Sequence, residues 1–493
     1  MKEFDILIIG SGISSMAAAR ILNKFGHSKI GILEQHSVPG GFLHCFKRFG
    51  HRFETGAHYI GSINKGEPFY KLLNYLDVYH EEDYIDMDDA PDDHYFEDHE
   101  YTFCLGYEEN IKKLSGLFPL EKESIRVYFE MVENAAHSFP TYYFKKDYDQ
   151  QKMLGYIDKT VEEVIESLFK SPKLKEILYS NSILYGVAPK DASFGFHSIV
   201  QDSYIISSKG FRFGGERLAQ RFVKKIEEAG GEFFFNHKVQ ELVIENKEIT
   251  KVICQNGEIF QAKKVISGIH PKLLFDMISK NDVRKSFQKR LDQIKESNSF
   301  FGACIVLKKN PGLSPVKNYY FHSSSDFEDP EEKKVQKCFP FFLTSSQRDY
   351  KEGKFPVLIT SNCAFSEFNA LERKSQGYKD LKEKYFKEVL EAIEKRVPGF
   401  IDSIDRYTLS SPLTNQRYVP SPTGSSYGIY HDTSCTGARG LGPRTHFHNL
   451  ILTGQNTLFP GLLGGSISAI KSAGQIIGTK DILKQLSEYE VME

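Results

Sequence analysis

Gly10-Ser11-Gly12, with Ile13, Ser14 and Ser15 behind it and Glu34 about twenty residues further on, is the first group whose residue types and spacing could do chemistry. Glycine at 10 permits a sharp turn and glycine at 12 lets backbone approach a pyrophosphate. The acid at 34 can accept a hydrogen bond from a ribose hydroxyl. Ser15 stands where the fingerprint has a third glycine, and a residue that small still lets helix and strand pack closely. The spacing predicts a dinucleotide site. Gln35 and the pair Gly40-Gly41 extend it, since a side chain there would collide with a bound cofactor. A second set lies near the far end of the chain, where Gly454-Gln455 leads to Gly461, Gly464, Gly465 and Ser466. A strand that delivers a glycine-rich turn to a helix N-terminus presents free N–H groups to an anion or carbonyl. Between the two sets, His58 and Tyr59 are the candidates for proton transfer or substrate positioning, because histidine exchanges a proton near neutral pH and tyrosine can donate one. A histidine that only hydrogen-bonds neighbouring backbone is the competing reading. His44, Cys45 and Arg212 are secondary candidates.

These residues need elements to hold them. Residues 4–9 read as a buried parallel strand, 14–25 as a helix closed by Gly26, and 29–33 as a second strand. Residues 64–190 carry apolar residues at helical spacing, which predicts a helical insertion. Within it, the acidic stretch 81–100 reads as a solvated connection without a metal-ligand pattern. The aromatic and basic run 139–146 is open to two readings, contact with a membrane surface or rings packed within a cap. Strand patterns with turn signals fill 232–268, and further strands are expected at 299–307 and 356–361, with a helix over 379–396.

Length sets two or three structural units, and a net charge of −2 with 40% hydrophobic residues gives no sign of nucleic-acid binding or disorder. No leader and no bilayer-spanning run is read from the sequence. Seven scattered cysteines, none in a CxxC pair, predict neither disulfides nor a zinc site and fit a reducing cytoplasm. No metal site is expected. Neither a G-x-S-x-G elbow nor an H-E-x-x-H helix supports a hydrolase.

Gly40-Gly41, His44, Phe46, Phe53, Gly56 and His58-Tyr59-Ile60-Gly61 together resemble the FAD-binding entry of the carotenoid desaturase, carotenoid isomerase and retinol saturase group, most of all its saturase and isomerase branch. Residues 211–215, 410–414 and 423–428 are similar to the same branch. The resemblance implies an α/β fold with a Rossmann-like FAD-binding domain of the glutathione-reductase and amine-oxidase type, from residues 1–62, 205–285 and 440–493. It implies an interleaved substrate domain of β-sheet and helical cap from 63–204 and 286–439. It places backbone of Val239 at the adenine and the 454–466 glycines at the flavin ring and ribityl chain. One glycine fingerprint means one dinucleotide, so FAD is the cofactor, with NAD(P)H or a quinone left open as exchange partner. The implied activity is on carbon–carbon double bonds of a long apolar polyene or isoprenoid, by saturation or redox-neutral cis–trans isomerisation. Phytoene-type desaturation, an amine-oxidase-like activity and a non-catalytic lipid-binding flavoprotein are the alternatives. Peripheral membrane contact and oligomeric state stay open.

Overall fold

Lys2–Ile9 runs through the middle of a seven-stranded sheet because both of its faces are apolar. Ile6 and Ile8 belong to one core, and Leu7 and Ile9 to the core on the opposite side, the two-residue period of a strand buried on both faces, while Phe4 at the strand's start joins the second core out of that period. Ile30–Leu33 and then Glu232–Phe234 pair with it in parallel on one edge, and Ile259–Ser267 pairs in parallel on the other. Ile259–Ser267 also takes Leu450–Leu452 in parallel and Glu248–Cys254 antiparallel, with Val239–Glu245 beyond. Helices Ile13–Lys24, Glu216–Glu228 and Gly461–Ala473 supply Ala17, Phe222 and Ile470 to the first of these cores. The computed structural model describes residues 1–322, 340–345, 353–436 and 439–490.

A second seven-stranded sheet is built from Asp92–Tyr95, Glu100–Phe103, Ser299–Leu307, Asn318–His322, Pro340–Ser345, Phe355–Cys363 and Ile404–Ser410. Gln376–Arg396, started by the Ser375 hydroxyl accepting from Tyr378 N, lays Phe386, Val389 and Ile393 on one face of it. The cap is a cluster of helices, among them Lys122–His137 and Phe194–Ile206, around a core of Phe129, Val132, Ile165 and Phe194. A small sheet of Tyr59–Gly61, Ser208–Phe211 and Tyr84–Asp86 joins cap and sheets.

Two local expectations change, and of the two readings left open for 139–146 the packed rings are the one found. Residues 81–100 are no solvated connection: they contribute Tyr84–Asp86 and Asp92–Tyr95, with Asp83, Asp92 and His94 buried. Their charge is answered by distant residues, Arg221 Nε on Asp83 Oδ2 at 3.1 Å and Asn318 Nδ2 on Asp92 Oδ1 at 2.7 Å, which local composition cannot show. The strand expected over 232–239 is broken, because Asn236 takes φ +60° between the parallel Glu232–Phe234 and the antiparallel Val239–Glu245. In 139–146 the rings of Phe139, Tyr142 and Phe144 are buried within the protein, and Tyr142 and Tyr143 donate to Asp202 at 2.8 and 2.9 Å. Six cysteines are free thiols, and Cys338 lies outside the described residues. No described helix is long and apolar enough to cross a membrane, and no group of possible metal ligands occurs among the described residues.

Candidate functional site

The turn after the first strand is shaped by Gly10, whose φ of +88° a larger residue rarely adopts. Gly12 has an ordinary φ of −64° and caps helix Ile13–Lys24 without any side-chain hydrogen bond. A Cβ built on Gly12 meets no heavy atom within 4 Å, so the backbone there faces open space. Glu34 closes the turn: its Oε2 accepts from Ser11 Oγ at 2.6 Å and Ser11 N at 3.0 Å, and its Oε1 accepts from His36 N at 2.9 Å. The acid expected to meet a ribose therefore also ties the glycine turn to the second strand, and it keeps a place in the cavity wall.

That cavity, about 810 Å³, brings both glycine sets together. Gly10, Ser11, Gly12, Ile13, Ser14, Glu34, Gln35, Gly40, Gly41, Val239, Gly454, Gln455, Gly461, Gly464 and Gly465 all line it. Two expected residues do not. Ser15 packs against Gly268, its Oγ 2.1 Å from where a Cβ on Gly268 would stand, so the close helix–strand contact of the missing glycine is shared between these two residues. Ser466 is buried and donates to Leu462 O at 2.8 Å within its own helix. Helix Gly461–Ala473 likewise starts without a side-chain cap, and its Gly465 lies so close to the first helix that a Cβ there would be 2.7 Å from Ser14 Oγ. Two uncapped helix N-termini thus converge on one cavity, each offering unpaired N–H groups and the positive end of a dipole. The open space at Gly12, matched at Gly461, fits the phosphates and ring edge of a dinucleotide such as FAD. His431 steadies the far turn: its Nε2–H donates to Gln455 O at 2.6 Å, and burial pushes its pKa down to about 4, keeping it neutral.

The other end of the cavity is aromatic and aliphatic. Phe69, Ile183, Leu184, Ile199, Val200 and Phe300 line it, with the tyrosines 59, 204, 320 and 427. Tyr59 and Tyr320 share a hydrogen bond of 2.8 Å between their hydroxyls, and Tyr204 lies 4.7 Å, centroid to centroid, from the Tyr59 ring. Burial first, and then the charge of Asp92, holds the Tyr59 phenol well above its usual pKa, so it is neutral and able to donate. His58 also lines this end, with Nδ1 3.5 Å from Glu54 Oε2. None of the secondary candidates lines the cavity. Arg212 is exposed with Nε on Glu82 O, burial lowers the pKa of His44, and burial pushes the Cys45 thiol up to about 12. Tyr204, Tyr320 and Asp92 escaped the sequence reading; the alternation Asn318-Tyr319-Tyr320-Phe321-His322, polar and apolar by turns, was the available signal.

Residues 13–302 match the model of a family described as flavin containing amine oxidoreductase. All-trans-retinol 13,14-reductase of Danio rerio is 24% identical over 98% of this chain and 87% of its own length. The chloroplastic prolycopene isomerase of Daucus carota is 23% identical over 93% of this chain and 77% of its own. Among solved structures, putrescine oxidase bound to putrescine superposes with a TM-score of 0.65 at 13% identity, over 96% of this chain and 99% of that one, a likeness of fold.

Proposed function

The chain belongs to the flavin containing amine oxidoreductase family and is an FAD-dependent oxidoreductase, and from that premise we propose that it acts on carbon–carbon double bonds of a long apolar polyene or isoprenoid. The reaction proposed is saturation or redox-neutral cis–trans isomerisation. One observation carries the reading: the cavity beyond the glycine turns has an aliphatic and aromatic wall, and the only acids among its described lining residues are Glu34 and Asp276. Peroxide release on turnover of an amine would instead identify the amine-oxidase-like alternative, since an aromatic wall can also receive an amine. The names of the two relatives point to the same chemistry, a retinol in one and a prolycopene in the other.

In this proposal the backbone at Gly12, Ile13 and Ser14 holds the pyrophosphate, Glu34 the ribose, Val239 the adenine, and the Gly454–Gln455 and Gly461–Gly465 turns the flavin end. FAD, once bound, supplies hydride transfer to or from a substrate carbon. The protein's own part is to orient, to exclude water and to keep a proton available. Phe69, Ile199, Val200 and Phe300 shed water from an apolar chain laid along the cavity. Tyr59, held by Tyr320, presents a neutral hydroxyl there, and His58 stands beside it for positioning. The proposal extends to a small apolar substrate, a reducing compartment, and contact with a membrane from which such a substrate is drawn. The test is to mix the purified yellow protein anaerobically with all-trans-retinol or a cis-polyene. Turnover only after chemical reduction of the flavin supports saturation or isomerisation, separated by product mass. Bleaching of the oxidised flavin by substrate indicates desaturation, and no change of any polyene in either redox state ends the proposal.

A further inference from the structure

The second sheet meets the cavity through Phe300, Tyr320 and Thr360, with a polar cluster behind Tyr320. Along Asn318–His322, Tyr319 and Phe321 point into the apolar core under helix Gln376–Arg396, so Asn318, Tyr320 and His322 take the other side. The parallel neighbour sets Asp92 opposite Asn318 and His94 opposite Tyr320. Side chains follow that register. Asn318 Nδ2 donates to Asp92 Oδ1 at 2.7 Å, the His94 ring stacks on Tyr320 with centroids 4.4 Å apart, and the Tyr320 and Tyr59 hydroxyls meet at 2.8 Å on the cavity wall. Asp92 is 7% exposed, and no ion pair with it is found among the described residues, since Lys317 Nζ lies instead at 3.3 Å from Asp93 Oδ1.

Other features carry less. Asp202 is buried but already accepts from Tyr107, Tyr142 and Tyr143, which makes it a strut of the cap. His270 faces Glu296 at 3.1 Å and accepts from Lys272 N, which makes it the cap of a short helix. Asp92 is different, a buried acid with one side-chain donor among the described residues, on the strand that pairs with the one carrying Tyr320.

We propose that Tyr59 and Tyr320 act together as the proton donor at the substrate end, and that Asp92 is the positioning residue that keeps this pair supplied with a proton. The proposal rests on the reading that the protein acts on carbon–carbon double bonds. Saturating such a bond adds a hydride to one carbon, from two-electron-reduced flavin, and a proton to its neighbour. The proton leaves a tyrosine hydroxyl as the new C–H bond forms, and the partner hydroxyl donates to the phenolate left behind. The neutral Asp92 carboxyl, diagonal to Tyr320 across the paired strands, then returns a proton to the phenolate by way of a bridging water, and the carboxylate regains one from solvent. Burial first, then Asp93, raises the Asp92 pKa to about 7 against the opposing Asn318 bond and Lys317, so at neutral pH the carboxyl is poised between its two forms. Burial and then the charge of Asp92 raise Tyr320, burial and then Tyr427 and Asp92 raise Tyr204, and burial holds His94 well below its usual range and therefore uncharged. Phe103, across from Asp92 on the third strand, brings no charge.

The experiment uses FAD-loaded wild type, Asp92→Asn and Tyr320→Phe. Infrared difference spectra across the neutral range should show a protonated carboxyl that titrates near pH 7, is missing in Asp92→Asn, and has a displaced midpoint in Tyr320→Phe. With reduced flavin and all-trans-retinol in D2O, product should carry two deuteriums, one on each former alkene carbon, because the flavin N–H and the tyrosine O–H both exchange with solvent, and wild-type kcat should fall as pH rises through about 7. Asp92→Asn should flatten that profile at unchanged KM, and Tyr320→Phe should lower kcat by roughly 100-fold, the lower end of a general acid's contribution. No titrating carboxyl, or an Asp92 midpoint indifferent to Tyr320, overturns the proposal, as does a wild-type pH profile in Asp92→Asn. Failure of every polyene to react would end the functional reading alone, because the infrared titration decides the Asp92–Tyr320 coupling without turnover.

Discussion

Gly12 and Gly268 are both glycines of the nucleotide-binding unit, and replacing each by alanine should separate cofactor binding from folding. At Gly12 the backbone is ordinary, with φ −64° and ψ 166°, and a Cβ finds no heavy atom within 4 Å. Alanine there restricts the unfolded chain and strains nothing, so flavin-free protein should be unchanged or more stable by about 0.4–1 kcal/mol. The same methyl stands in the space where a phosphate must approach. Treated as overpacking of about 1–3 kcal/mol, it should weaken FAD binding by roughly 5- to 150-fold. At Gly268 the Cβ would be 2.1 Å from Ser15 Oγ, so alanine should cost about 1–3 kcal/mol of stability whether or not FAD is bound. Ser15→Ala should relieve most of that cost, because the remaining neighbours, Ser15 Cβ and Ile9 O, are 3.5 and 3.6 Å away. Urea unfolding of flavin-free protein gives the first quantity and fluorescence titration with FAD the second. The reasoning fails if Gly12→Ala binds FAD as tightly as wild type, or if Ser15→Ala does nothing for Gly268→Ala.

Removing the Asp202 carboxylate with Asp202→Ala leaves the hydroxyls of Tyr107, Tyr142 and Tyr143 without their acceptor, and should cost about 3–5 kcal/mol in chemical denaturation. Asp92 titrates at about 7 in the fold against 3.8 as an ordinary carboxyl, so the folded state prefers its neutral form. Wild-type stability should therefore decline relative to Asp92→Asn as pH rises from about 4 to about 7 and then level off, by up to about 4 kcal/mol at roughly 1.4 kcal/mol per unit; a constant difference between the two proteins would contradict it. His58→Ala and Tyr59→Phe should keep full flavin absorbance while turnover falls by roughly 100-fold, and unimpaired turnover in both would remove this end of the cavity from the chemistry.

The glycine turn, its acid and the closing glycine-rich helix were legible in the sequence because backbone constraints leave local marks: a positive φ at Gly10, bare approach at Gly12, and a strand and helix on either side. That the two sets form one cavity could be inferred only from the family resemblance. Residues whose meaning depends on a partner far along the chain left no such mark. Asp92 looked like one acid among many in residues 81–100, and only pairing with Asn318, more than two hundred residues later, makes it a buried group behind the cavity. Ser15 was legible for its packing part, since a small residue at the third fingerprint position brings the helix close to the strand end at Gly268. At Ser466 the hydroxyl donates within its own helix, a bond that residue type alone does not foretell.

The order of synthesis gives the pairing of helix Ile13–Lys24 with helix Gly461–Ala473 a further meaning. A ribosome delivers the first helix more than four hundred residues before the second, and Leu450–Leu452, which pairs with Ile259–Ser267, also arrives late. Until residues 450–473 emerge the nascent nucleotide unit therefore lacks both a strand of its sheet and a helix packed in the same core as Ala17 and Met16. The cavity cannot be closed around a dinucleotide until helix Gly461–Ala473 has emerged, so enclosure of the cofactor follows synthesis of that helix. Until then, it is the apolar surface awaiting Ile467 and Ile470 that a chaperone would meet.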